Sequence, residues 1–539
     1  MGLMTKIETS CSQTESRRRT KDQRCFLICV LLIWFFFAWV MMNTPYGLDD
    51  WLWGIPQGIE DFLTGRQNGR YVGNLFELIV TRSVFLKVTL VASMATLLPL
   101  LSVRRACCAE TCFDDCLQTK QKHTAELFLL ATLMYLAIPR EVWRQTFGWI
   151  AGFSNFGFSG VLLLLYQKQL FEAQKAENRE TGRSLLGSFL AAFCVVLILE
   201  NVTVYVVAVN VFSTILYAIR NKKINLKHLA LFIGSIAGTV LMFSSSIYGS
   251  LLSTGHAVNG MRSITFDLSA GLWNNLHLLY SRFVYFFPHY LWGDQWIPCT
   301  LISGLLVIKS IRSKQKGKII IAAFFALFAV YFVAVRFFGP IENHLAGWGE
   351  VLTQRLNIFY FWAVTAAILL LWRGERQKIS ILLFFWLSVP GVILPLLATN
   401  TTSTTASRCV LTSTVFLIEF CLSLFADGES SQNGVLRKGF NVLILGALLF
   451  FVGEMTVVSY HNGLVMKERA ALVRSAQNGE ADSLEFPDFP YLDYLWVTEP
   501  IGGRQEGFFR EFYQIPQNVE INFNTGNLEE YDFYAHIDD

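Results

Sequence analysis

Two adjacent carboxylates, Asp49 and Asp50, follow the first long apolar segment of this 539-residue chain, in the run Asn43-Thr-Pro-Tyr-Gly-Leu-Asp-Asp-Trp-Leu-Trp53. A carboxylate can take a proton from a hydroxyl, and a guanidinium can hold a phosphate through two parallel hydrogen bonds. Both groups occur in this stretch, because Arg66 and Arg70 follow the acids and Arg70 opens Arg-Tyr-Val-Gly-Asn-Leu-Phe-Glu77, which adds the amide of Asn74. Asp49 and Asp50 are therefore the expected proton acceptors, with Arg66, Arg70 and Asn74 as the expected substrate- and phosphate-binding groups. The bland alternative is that an Asp here only caps a helix. Capping uses one Asp and leaves the second carboxylate, the tryptophans and the arginine pair unexplained.

Other candidates are more dispersed. Glu200-Asn201 sits where two apolar segments meet with almost no loop; an ionisable side chain at membrane level faces a cavity or a partner, unless it is simply a hairpin tip in water. The run Trp149 to Gly160 is rich in small residues and carries Ser154 and Asn155, which suits close helix packing or a locally irregular backbone. Arg408 ends the hydroxyl-rich Thr399 to Ser407 stretch, where it meets an anionic headgroup or diphosphate or serves as a snorkelling anchor. Arg140-Glu141-x2-Arg144 is either a surface ion-pair cluster or a phosphate contact. Cys107, Cys108, Cys112 and Cys116, with His123 beyond, lack the paired CxxC spacing of a zinc site and read as thiols kept reduced. No metal-ligand set is expected; the cofactor is otherwise open, a divalent metal included.

These groups need a scaffold, and composition names it. The chain is 53% hydrophobic and 14% aromatic with mean hydropathy +0.42, and its apolar residues fall in blocks of about 17 to 22, the length that spans a ~30 Å hydrocarbon core as a helix. Thirteen spans are expected, near residues 25–42, 83–102, 125–138, 149–166, 185–200, 202–219, 229–247, 291–308, 319–335, 355–372, 379–397, 409–426 and 439–458. With the N-terminus in the cytoplasm, 28 of the 44 Lys and Arg residues fall in cytoplasmic segments, the bias that orients membrane proteins. An odd count then puts the C-terminus outside, and the expected setting is a plasma membrane. The expected organisation is a basic cytoplasmic N-terminus over 1–24, a membrane domain over 25–458 with its chemistry in the first external loop, 43–82, and an extracytoplasmic tail over 459–539. The first apolar segment lacks a small-residue cleavage site and reads as a retained anchor. Residues after Asp50 have the pattern of a helix lying in the interface, as does the aromatic run at 272–290. The tail holds fifteen acidic and five basic residues from Tyr460 onward, yet its aromatic clusters speak for a folded or docked piece. The fold class is thus all-α, a polytopic transmembrane bundle with a small C-terminal α+β appendage. The lipid bilayer is an expected partner and nucleic acid is not.

The acidic Asp49-Asp50, the loop motif Asn68-Gly69-Arg70-Tyr71, Gly152-Phe-Ser-Asn155, Glu200-Asn201-Val-Thr, the late Ser407-Arg408 and Glu511-Phe-Tyr-x-Ile-Pro516 together carry a resemblance. Over most of its length the chain resembles a family of bacterial polytopic membrane proteins that is in turn similar to the GT-C superfamily of membrane glycosyltransferases. The resemblance implies transfer of a sugar from a polyprenyl-phosphate carrier to a cell-envelope acceptor glycan on the outer face of the membrane. It also implies that Asp49 or Asp50 activates the acceptor hydroxyl or binds a metal. The tail is smaller than the external domain of many such enzymes, and some of them depend on metal, which leaves metal use open. On chemical grounds, inverting transfer needs a base and cationic contacts for the phosphate leaving group. Asp49 or Asp50 suits the first role, Arg70 with Arg66 or Arg408 the second, and Glu200 would orient the sugar or acceptor. The competing class is a transporter or flippase for a lipid-linked glycan, which would show internal repeats and charges near the bilayer midplane. A third is a scaffold whose tail binds cell-wall partners.

Overall fold

In hydrocarbon an apolar segment can satisfy its backbone only within itself, so runs of this length fold as helices. The computed structural model describes residues 23–108, 124–174, 181–249, 269, 271–313, 316–340, 352–399, 403–429, 434–496 and 502–523. Cys112, Cys116, His123 and residues 400–402 of the hydroxyl-rich stretch lie outside them. The chain is an all-α bundle with the apolar helices of a multi-pass membrane protein.

Helix α1 (Gln23–Met42) leads into three short helices, α2 (Asp49–Gly54), α3 (Pro56–Thr64) and α4 (Tyr71–Val80), and then α5 (Val84–Cys108). Next come α6 (Thr124–Leu136), the short α7 (Arg140–Thr146) and α8 (Ile150–Ala173), which contains a π-helical stretch, Phe153–Gly157. They are followed by α9 (Gly182–Val195), α10 (Glu200–Asn221) and α11 (Leu226–Phe243). A second π-helical stretch, His289–Gly293, ends α12 (Leu272–Gly293), which meets α13 (Trp296–Arg312) at a bend of 73°. Then follow α14 (Lys318–Phe338), α15 (Leu352–Leu371), α16 (Arg376–Ala398), α17 (Ser403–Glu429) and the 44-residue α18 (Gly434–Gln477). The tail adds strand β1 (Ser483–Phe486), α19 (Gly503–Tyr513) and strand β2 (Glu520–Phe523), the two strands pairing in parallel.

Among the described residues ten helices are long and apolar enough to cross a membrane, eleven if α12 and α13 act as one broken span. The thirteen expected spans all fall on helices, two of them on the short α6 and α9. Helix α17 is the axis of the bundle, its apolar window entirely buried. Small residues set the closest approach elsewhere. On α11 a Cβ at Gly234 would stand 2.4 Å from the Phe189 carbonyl oxygen, and one at Gly238 would stand 2.8 Å from that of Phe193, so the Gly-x3-Gly face lets α11 lie against the backbone of α9.

One expectation needs correction. The run after Asp50 is not one interfacial helix: Pro56 starts a new helix, and Trp51, Trp53 and Ile55 are buried where anchoring side chains would face headgroups. The cover comes from the tail, whose Phe486, Phe508, Phe509 and Ile515 form one apolar cluster with Trp51, Leu52 and Ile55. Helix α18 runs unbroken through residue 459, where the tail was expected to begin, as far as Gln477.

Candidate functional site

The acidic loop is held by its backbone. Leu48, just before α2, has φ 51° and ψ −115°, a conformation that costs a side-chain-bearing residue of order 1–3 kcal/mol and collects at functional sites. Asp50, fully buried, accepts the Gly47 N–H at 2.9 Å with Oδ2 and the Ala151 N–H at 2.7 Å with Oδ1. Its carboxylate thus ties α2 to the first turn of α8, where an acidic group is favourable. Burial pushes its pKa up, while the two backbone donors and Lys87 oppose that rise. Lys87 donates to the Thr44 carbonyl at 2.6 Å and lies 4.4 Å from the Tyr46 ring centre. Both carboxylate oxygens of Asp50 are thus engaged by backbone donors.

Asp49 lies in the field of two cations. Burial raises its pKa, and the charges that pull it back are those of Arg408 and Arg70. The two guanidiniums flank one ring: Arg70 lies 5.9 Å and Arg408 5.6 Å from the centre of Phe156, in the π-helical stretch of α8, and Arg408 also lies 5.7 Å from Trp149. A π-helical stretch is uncommon and tends to mark functional sites. The second, His289–Gly293, packs against the same α17 that carries Arg408.

Arg70 and Glu200, separated by 130 positions, meet here. Arg70 Nη2 and Nε donate to Glu200 Oε2 at 2.8 and 3.1 Å, and Tyr248 Oη donates to Oε1 at 2.6 Å. Arg70 thereby has its pKa held up, against burial, by the Glu200 charge. Glu200 is not a hairpin tip in water.

The remaining expected residues divide. Asn74 Nδ2 donates to Asn68 Oδ1 at 3.0 Å, and the same oxygen accepts the Arg70 N–H at 2.9 Å, so this turn fixes where Arg70 starts. Gly69 is required in it, because a Cβ there would stand 1.9 Å from the Met242 carbonyl oxygen. Asn155 is buried beside Gly73, donating to the Ala151 carbonyl at 3.0 Å with Oδ1 unpartnered. Asn201 donates to the Val392 carbonyl at 2.9 Å and serves packing. Arg66 stands apart, pairing with Glu60 at 3.4 Å with both side chains 63% exposed, so it is a surface ion pair away from the Asp49 cluster. Arg140 pairs with Glu454 at 2.8 Å and Arg144 with Glu141 at 3.8 Å.

The site holds two groups beyond those expected. Glu77 is fully buried with neither carboxylate oxygen hydrogen-bonded, and burial together with Asp50 and Asp49 pushes its pKa well up. Its signal was in the sequence: Asn74 and Glu77 stand at i and i+3, on one face of the helix that Arg70 precedes. Tyr248 had no such signal. Among the described residues no group of three or more His, Cys, Asp or Glu side chains stands together as a set of metal ligands.

Compared with family models, curated proteins and solved structures, the chain matches none.

Proposed function

We propose that this protein is a membrane glycosyltransferase of the GT-C kind, moving a sugar from a polyprenyl phosphate to a cell-envelope glycan at the outer face of a plasma membrane. The observation that carries the reading is Asp49, set at one end of the bundle in the field of Arg70 and Arg408, the two guanidiniums that share the Phe156 ring. Asp49 takes the proton of the acceptor hydroxyl as that oxygen bonds to the anomeric carbon. The bond from that carbon to the phosphate oxygen breaks, and the released phosphate gathers the negative charge that Arg408 and Arg70 neutralise. Arg70 gives Nε and Nη2 to Glu200, which leaves Nη1 for the phosphate and makes Glu200 the residue that aims it. Thirteen crossings with the N-terminus inside and the tail outside belong to this reading.

The test is transfer itself. Purified protein in nanodiscs, given radiolabelled polyprenyl-phosphate sugars and envelope glycan, should form labelled product that Asp49→Asn does not. A panel of such donors that yields no product above a no-protein control would sink the reading.

One observation favours the transporter or flippase class. Glu419 lies fully buried on α17, held at 2.9 Å by Gln167 Nε2 with Oε1 unpartnered, and an acid inside a bundle marks a transport path more often than a packing choice. On that reading Glu419→Gln abolishes movement of a fluorescent lipid-linked glycan across the bilayer, and Asp49→Asn does not.

A further inference from the structure

A groove of about 910 Å³ lies on the flank of the bundle, separate from the Asp49 cluster, between α18 and the tail segment Phe489 to Tyr494. Its wall is apolar and faces away from the core: Leu449, Phe450 and Val457 are 61%, 67% and 51% exposed. At Gly453, in the middle of that wall, an added Cβ would meet nothing within 4 Å. A surface of this kind on an apolar helix is where the acyl chains of the surrounding bilayer lie. The tail makes it more than a bare helix face, because it closes the groove where α18 carries its polar Glu454.

The charges at that closed end alternate. Arg140 is 56% exposed and donates to Glu454, whose Oε1 also accepts from Tyr494. Asp493 is exposed beside them and accepts no hydrogen bond among the described residues, and the Tyr491 ring stands close by in the same wall. One cation and two carboxylates give the polar end a net negative charge. Such an end repels an anionic headgroup and suits one whose phosphate and ammonium are separated, with the phosphate at Arg140 and the ammonium between Asp493 and the tyrosine faces.

We propose that this groove is a binding site for a zwitterionic amino-phospholipid, its headgroup under the tail and its acyl chains along Leu449, Gly453 and Val457. The full-length protein in nanodiscs of equal phosphatidylethanolamine and phosphatidylglycerol is examined by native mass spectrometry, with activation raised until loosely bound lipid is shed. Wild type should keep one phosphatidylethanolamine in preference to phosphatidylglycerol by about fivefold, the ratio an exposed charge contact supports. Gly453→Trp, whose Cβ meets nothing within 4 Å, puts an indole into the groove and should lose it. Asp493→Lys, at an exposed position, should reverse the preference. Equal retention of both lipids by wild type, retention by Gly453→Trp at the wild-type level, or an unchanged preference in Asp493→Lys would each overturn the proposal. None of these readouts uses sugar transfer, so the proposed function and this site stand or fall separately.

Discussion

At the scale of single residues, the two neighbouring acids have different work, and the difference is measurable. Asp49→Asn should lower transfer by about 10²- to 10⁴-fold, the range of a lost general base, without changing the melting temperature much. Asp50→Asn should lower the melting temperature as well, because an amide can accept from one of the two N–H donors, Gly47 or Ala151, only by turning its own N–H₂ toward the other. Asp49 also sets a pH dependence. Its pKa lies above the ordinary 3.8, so the basic form, and with it transfer, should rise with pH through that elevated value and lose the acidic limb in Asp49→Asn. Stability runs the other way, since the folded state binds the proton more tightly than the unfolded one: the contribution is full at low pH and lost as pH rises through the folded pKa. Arg70 and Glu200 should behave as a unit. Each alanine variant leaves a partly buried charge behind, so a double-mutant cycle on thermal unfolding should give a coupling of about 0.5–3 kcal/mol; additive effects would mean that the pair seen here contributes nothing.

At the scale of elements, the tail and the acidic loop form one packed unit. Tyr46 and Phe512 meet ring to ring at 5.3 Å, Trp51 and Phe509 at 5.1 Å, and a Cβ at Gly54 would stand 2.1 Å from the Phe512 ring. Gly54→Val should therefore push α19 off α2, seen as faster protease cleavage of the tail and lower transfer with insertion intact. Phe512→Ala in the same chain should restore part of both by making room. What was legible in the sequence divides along the same line. Helices were legible, because apolar length alone dictates them in a membrane, and so was the face of α4 that carries Asn74 and Glu77. The Gly234-x3-Gly238 contact was there to be read as well. Burial of Trp51 was not: a tryptophan after an apolar span looks like a headgroup anchor until the partner surface, some 450 residues later in the chain, is known to cover it. The pairing of Glu200 with both Arg70 and Tyr248 likewise depends on how three separate helices come together, which no local spacing encodes.

At the scale of the whole molecule, contacts between distant residues constrain the path of the chain. Asp50 follows α1 and α5 leads away from it, yet Asp50 binds the Ala151 N–H at the start of α8. The chain must return to the same end between α5 and α8, and α6, 13 residues long, is the helix available to bring it back. The same argument applies to α9: α8 leads away, and Glu200 at the start of α10 is again beside Arg70. At the opposite end Asp427 joins Lys309 and Lys378 from three different helices, and Asn225 donates to the Ala173 carbonyl at 3.0 Å. That end is also where the Lys and Arg residues gather, so it is the proposed cytoplasmic side. Reporter fusions should then read inside after residue 225 and outside after Glu200 and after Gln477, with α6 and α9 each counted as a crossing despite their length. A fusion after Gln477 that reports from the cytoplasm would leave the crossing count odd but invert the bundle, putting the N-terminus outside and the tail, with Asp49 packed beside it, at the inner face. Agreement at all three points fixes the compartment in which donor and acceptor must be offered, and so decides whether the transfer assay should be run with substrate on the outside of sealed vesicles.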